Sequence, residues 1–291
     1  MPQYKHVFFK TLLVFFTLIS FSSFGQVSDV GVILLHGKWG NPDTHINKLA
    51  EALRNQGYAV STPLMPWSRK RGYDVPYSTA INEIEVQVNA LKANGAKHII
   101  VSGQSLGANA AMAYAAYGHT PIDGIIAIAP GHTPDQPGFK KAVAFSLQRA
   151  KVMVTNGKGN DSDIFDDLNG GRNDKFKMKA ADYVSYFDPD GMASMPKSAE
   201  NTALKKVPLL WILGGPKDYL WSAGKAYAFD RWPQHSLNTY MSIDSGHLDA
   251  PSASIEAVIA WIQSTRLAAL HWLSVDQLAF RKQSNQNHRN Q

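Results

Sequence analysis

Short, almost uninterrupted apolar runs that end in glycine recur along this chain, and stretches with helical apolar spacing separate them. The runs are "VGVILLHG" (Val30 to Gly37), "HIIVSG" (His98 to Gly103), "GIIAIAPG" (Gly124 to Gly131) and "VPLLWILGG" (Val207 to Gly215). A strand covered on both faces needs such a run, and strands separated by helix-length crossovers pair in parallel. The separating stretches fit helices. One opens at Asn41-Pro42-Asp43, places Ile46, Leu49, Ala50 and Leu53 on one face and stops at Gly57; others span Tyr77 to Gly95, "SLGANAAMAYAAYG" and Ala253 to Arg266. A further helix is expected around Ser222 to Phe229, and further strands at Tyr58 to Pro66 and Leu237 to Asp244. The pattern predicts an α/β fold: a doubly wound, mainly parallel sheet of about six strands.

Three segments stand apart. Lys5, His6 and Lys10 precede the apolar run Thr11 to Phe24, and Ser23 and Gly25 sit where a small-residue cleavage site belongs. Residues 1–25 therefore read as a secretory signal peptide, because the run is shorter than the roughly 20 residues a spanning helix needs. The mature chain, 26–291, is then expected to be periplasmic or secreted, with no stable membrane insertion. Residues 132–206 interrupt the strand–helix alternation for too long to be a simple loop, which predicts a cap insertion. Within it, "GKGNDSDIFDDLNGGRND" reads as a solvated loop, and its aspartate spacing does not match an EF-hand. The polar end, 275–291, reads as a disordered tail.

The chain holds no cysteine, so disulfides, thiolate metal sites and a cysteine nucleophile are excluded. A net charge of +6 over 291 residues, two of the lysines lying in the leader, is too modest for a nucleic-acid footprint.

"HIIVSGQSLGANAA" holds Ser105 between Gly103 and Gly107. The Gly-x-Ser-x-Gly spacing is common by chance, but here it follows a buried strand and opens a small-residue helix. That strand–turn–helix context presents a serine above a sheet, with free helix N-terminal N–H groups beneath it. With these residues the chain resembles the α/β-hydrolase superfamily over nearly all of its mature length. The resemblance implies a serine hydrolase needing no metal or organic cofactor. It maps "LLHGKWG" (Leu34 to Gly40) onto the family's His-Gly turn, which implies an oxyanion hole built from the backbone N–H groups of Lys38 and Leu106.

The family order, serine then acid then histidine, implies His247, in "SIDSGHLDAP", as the base, with His132 as its rival at another strand end. For the acid, Asp218 follows the glycines that end a strand, while Asp135, Asp244 and Asp249 are alternatives. Trp39 and Trp67 lie in loops on the ligand-binding side and suggest an aromatic, largely apolar pocket; Arg69, Lys70 and Arg71 form a basic run beside Trp67. The expected function is hydrolysis of a small-molecule carboxylic ester through an acyl-enzyme. A small-substrate peptidase or amidase, and a non-catalytic ligand-binding relative, are the alternatives.

Overall fold

The computed structural model describes residues 28–216 and 218–268; the expected leader (1–25) and tail (275–291) lie outside the described residues. Six strands form one sheet: β1 (Val30–Leu35), β2 (Ala59–Ser61), β3 (His98–Ser105), β4 (Gly124–Pro130), then, after two strands that pair elsewhere, β7 (Leu209–Leu213) and β8 (Thr239–Ser242). Their order is β2-β1-β3-β4-β7-β8, and every pairing is parallel. The chain winds outward from β1 to β2, then returns past β1 to β3. The crevice at such a reversal, outside the carboxyl ends of β1 and β3, is where open α/β sheets bind ligands.

Alternation along the strands builds two cores. Ile33, Leu35, Ile99, Val101, Ile125, Ala127 and Trp211 face one way, against α2 (Tyr77–Ala93) and α3 (Leu106–Tyr117). Val32, Leu34, Ile100, Ile126, Ile128 and Ile212 face the other, against α1 (Asn47–Asn55) and helical residues 255–268, which contribute Val258, Trp261 and Ile262. Burying each such aliphatic side chain is worth about 1.5–3 kcal/mol, so the continuous apolar runs carry most of the folding drive. The α3 helix is buried around nearly its whole circumference, which its alanines permit.

Between β4 and β7 the chain forms α4 (Pro137–Thr155), an antiparallel hairpin of β5 (Ser162–Asn169) and β6 (Arg172–Lys179), α5 (Ala180–Phe187) and α6 (Met195–Asn201). The hairpin replaces the solvated loop expected from composition. Gly170 and Gly171 take φ +62° and +74°, the two left-handed positions that a tight two-residue turn demands. Partners elsewhere engage three of its aspartates: Asp163 pairs with Arg149 at 3.0 Å, Asp166 accepts from Ser146 Oγ at 2.7 Å, and Asp167 binds Lys38. The expected helix at 222–229 is also absent. Gly224 adopts φ +61° there, and only single turns at Lys225–Tyr227 and Phe229–Arg231 follow.

Asn109 ties this intervening segment to the sheet. Its amide donates to His132 O at 2.8 Å and Ala193 O at 2.7 Å, and Tyr77 Oη donates to its carbonyl. His132 itself is 7% exposed, wedged edge-on against Phe139 and Phe187, with Nε2 at 2.8 Å from Tyr186 O.

Burial, seconded by the nearby Lys38 ammonium, holds His132 well below its ordinary pKa of 6.5, and burial lowers His36 too. A depressed histidine pKa means the unfolded chain binds protons that the folded chain does not. Stability should therefore be complete above pH 6.5 and fall below it, by up to about 1.4 kcal/mol per pH unit for each histidine. The urea midpoint should drop between pH 7 and pH 5, and His132→Gln should flatten that slope; equal midpoints for the wild type would contradict the assignment.

Candidate active site

The carboxyl ends of β1 and β3 meet through backbone. Ser105 closes β3 at φ 57° and ψ −119°, a left-handed conformation costly for any side-chain-bearing residue, and α3 starts at the next residue. The flanking glycines are needed for proximity. A Cβ on Gly103 would stand 2.2 Å from the carbonyl carbon of Gly107, and one on Gly107 would stand 2.4 Å from Leu35 O. The helix start is thus pressed onto the end of β1, as the sequence spacing implied. Gly37 is equally confined, since a Cβ there would meet Gln104 Oε1 at 2.3 Å and Ser105 Cβ at 3.0 Å.

The turn after β1 is held from beneath. Met65 N donates to His36 Nε2 at 3.0 Å, so the ring proton sits on Nδ1, which donates to Gly37 O at 2.8 Å. Trp67 Nε1 donates to His36 O at 2.8 Å, and Trp39 N donates to Trp67 O. Trp67 is therefore a fully buried prop for this turn and does not line the cleft, contrary to the expectation of a substrate contact. Among the described residues, the Lys38 N–H has no hydrogen-bond acceptor, and the Leu106 N–H opens α3, where the first N–H groups of a helix lack intrahelical partners.

The Lys38 side chain runs away from the cleft. Its ammonium donates to Asp167 Oδ1 at 2.6 Å and Leu168 O at 3.3 Å and lies over the rings of Phe139 and Phe187. Both members of the pair are essentially without solvent. Burial lowers the Lys38 pKa, and Asp167 opposes the fall. The oxyanion-turn residue of the sequence reading is thereby bolted to the β5–β6 hairpin, a link that sequence could not supply.

Asp218 and His247 come together from the ends of β7 and β8. His247 Nδ1 lies 3.1 Å from Asp218 Oδ1, and Asp218 also accepts from Gly214 N at 2.7 Å and Tyr219 N at 2.8 Å. The alternatives go elsewhere: Asp135 accepts from Tyr227 Oη at 2.9 Å, and His132 is a packed core residue. Gln104 Nε2 donates to His247 O at 3.2 Å, and Tyr219 packs its ring 4.5 Å from the imidazole. Neither contact was legible beforehand, although both residues adjoin predicted site positions.

A Cβ on Gly131 would lie 2.7 Å from Ser105 Oγ and 3.6 Å from His247 Cε1, so serine and imidazole border one small volume that glycine leaves open. No hydrogen bond joins Ser105 and His247 among the described residues, a looseness common before substrate binds. The cleft above them, about 340 Å³, is lined by His36, Lys38, Trp39, Asn41, His45, Arg69, Asn169, Arg172 and Tyr219, among others. It is more polar than the expected aromatic pocket. Trp39 borders it, but its ring is packed edge-on against Tyr73 and Phe176, both at about 5 Å.

The model of the alpha/beta hydrolase family matches residues 32–261. Among solved structures, the chain is similar to the monoacylglycerol lipase of Paleococcus ferrophilus (20% identity, TM-score 0.59, covering 81% of this chain and 94% of that one). It is also similar to Est1E from Butyrivibrio proteoclasticus with ferulic acid bound (16%, TM-score 0.57, 81% and 89%). A third likeness is to a soluble variant of the monoglyceride lipase of Saccharomyces cerevisiae with a substrate analogue (16%, TM-score 0.57, 82% and 88%). At these identities the likeness is one of fold. No curated protein sequence matches the chain.

Removing one member of the Lys38–Asp167 pair strands a buried charge. Asp167→Ala should lower unfolding free energy by about 3–5 kcal/mol, whereas the paired replacement Lys38→Met with Asp167→Leu should recover most of that loss. Urea denaturation checks both. A double variant no more stable than Asp167→Ala would show that the pair is not an isolated unit.

Proposed function

Because the chain belongs to the alpha/beta hydrolase family, we propose that it is a serine hydrolase of carboxylic esters, with Ser105 as nucleophile, His247 as general base and Asp218 as the acid that orients it. The observation that carries this reading is the convergence at Gly131. A serine in a left-handed elbow and an imidazole bonded to a buried carboxylate border the same space there.

In this reading His247 Nε2 takes the Ser105 proton as Oγ attacks the ester carbonyl, and Asp218 fixes the imidazole tautomer and stabilises the cation. The oxyanion accepts from the Lys38 and Leu106 N–H groups, and the α3 N-terminus adds positive potential. The imidazolium then protonates the departing alcohol, leaving an acyl-enzyme. His247 activates water to cleave it, which restores the serine.

Ester rather than amide chemistry is favoured by the names of structural relatives, among them a monoacylglycerol lipase and a monoglyceride lipase. Residues 132–206 serve as a cap in this scheme, since the tip of their hairpin borders the cleft. Export of the mature chain from 26 onward, directed by residues 1–25, completes the proposal.

Wild-type protein should label with a fluorophosphonate probe and release 4-nitrophenol from short-chain esters, but not 4-nitroaniline from aminoacyl anilides. Ser105→Ala and His247→Ala should each lower kcat by about 10⁴-fold, with little change in Tm. More than a hundredth of wild-type turnover in folded Ser105→Ala would sink the assignment, and the opposite substrate preference would turn the reading to an amidase.

A further inference from the structure

We infer that the ester this cleft takes carries an anionic group, held between Arg69 and Arg172; the inference rests on the proposed esterase reading. The two arginines come from different parts of the chain and reach the same cleft as Ser105 and His247. Arg69 stands in the loop after β2. Arg172 opens β6 at the glycine turn, opposite Asn169 in the hairpin register. Side chains alternate along a strand, so Arg172 shares a face with Asp174 and Phe176, and its partner Asn169 shares one with Asp167. That is the face which binds Lys38 and packs Trp39, and Asn169 and Arg172 are its members nearest the turn.

The charge pattern around the site is one-sided. Among the described residues lining the cleft there is no aspartate or glutamate, since Asp218 is buried behind His247. Elsewhere four of the five other described arginines are paired, Arg71 with Glu83 and Asp74, Arg149 with Asp163, Arg231 with Glu200 and Arg266 with Asp29; Arg54, on α1 and away from the cleft, is the exception. Arg69 and Arg172 make no ion pair among the described residues. Asp43 lines an adjoining hollow with Arg69 and Lys70 yet binds neither. The Lys38 ammonium cannot serve as the anion site, because Asp167 already holds it.

Two exposed, unpaired guanidinium groups over a nucleophile, with Asn41, Asn169 and His45 as nearby donors, suit a carboxylate, phosphate or sulfate on the substrate. The basic run of the sequence thus divides by role. Arg71 is structural, clamped to Glu83 at 2.6 Å, while Arg69 faces substrate and is joined by an arginine from a distant hairpin.

The test compares matched esters: mono(4-nitrophenyl) adipate against 4-nitrophenyl hexanoate for an anion on the acyl side, and 4-acetoxybenzoate against its methyl ester for one on the alcohol side. With rates normalised to alkaline hydrolysis, the anionic member of at least one pair should show about tenfold higher kcat/KM, a preference that shrinks in about 0.5 M salt. Arg69→Ser and Arg172→Ser should each cut the anionic-to-neutral ratio roughly fivefold, as expected for exposed charge pairs, and lysine at either position should restore most of it. Taking the ratio within each variant cancels general damage to the enzyme. Turnover of the neutral esters with no anionic preference, or a preference indifferent to both arginines, would overturn this inference and leave the esterase reading standing. No turnover of any ester would overturn both.

Discussion

The contact on which the site depends is one between backbones, where the first turn of α3 lies against the last residue of β1 with no side chain between them. Gly107 has room for no Cβ beside Leu35 O, and Gly103 has none beside Gly107. This closeness forces the chain to turn from strand to helix within one residue, and Ser105 absorbs the strain at φ 57°. In the proposed mechanism the same closeness sets the spacing of the two oxyanion donors, the N–H groups of Lys38 and Leu106. On that proposal a wider helix–sheet spacing would relax Ser105 and separate the two donors together, so strain and preorganisation would share one cause.

A second layer of constraint works from outside the sheet. The turn after β1 hangs on His36 and Trp67 below, and on the side chain of Lys38, which reaches Asp167 of the hairpin. The hairpin is in turn fixed by stacked rings, Phe165 on Tyr183 and Tyr183 on Phe187, at 4.4 and 4.2 Å. A Cβ on Gly170 at its tip would stand 3.1 Å from Tyr219 Oη, and Tyr219 packs on His247. Lys38 and Tyr219, whose ring packs on the imidazole, thus both adjoin a single two-stranded element.

The sheet and the strand–turn–helix elbow at Ser105 were readable because they depend on local signals: doubly buried strands need unbroken apolar runs, and strand ends are punctuated by glycine. Asp218 and His247 were singled out through the family order instead, and their contact is a tertiary fact. The hairpin was not readable. Its aspartates and glycines have the composition of a solvated loop, and strand formation there draws on partners far away in sequence: Lys38, Ser146 and Arg149. Trp67 failed for a related reason, because nothing in sequence distinguishes an indole that braces a carbonyl from one that lines a pocket. The same loop placed three cations in a row, and only their tertiary partners separate Arg71, held by Glu83, from Arg69, which makes no ion pair among the described residues. Which of Asp218 and Asp135 meets His247 likewise needed geometry, since both follow strand ends; Asp218 lies against the imidazole, and Asp135 accepts from Tyr227.

Charge in this site divides by depth, and depth decides what each charge can do. Lys38 is nearest the oxyanion turn, and an unpaired ammonium there would pull any substrate anion toward the reacting carbonyl. Desolvation makes that arrangement unstable, so the buried cation is matched by a buried carboxylate and its field is largely cancelled. The cations left over are the exposed ones at the rim, where water screens each to a modest worth. Rim charges of one sign therefore act on which substrate arrives and how it is oriented, more than on the barrier to acyl transfer. In the proposed mechanism it is the backbone N–H groups, which carry no net charge and need no counterion, that stabilise the transition state. A site arranged in this way can select an anionic ester without placing a competing anion trap against its own oxyanion hole.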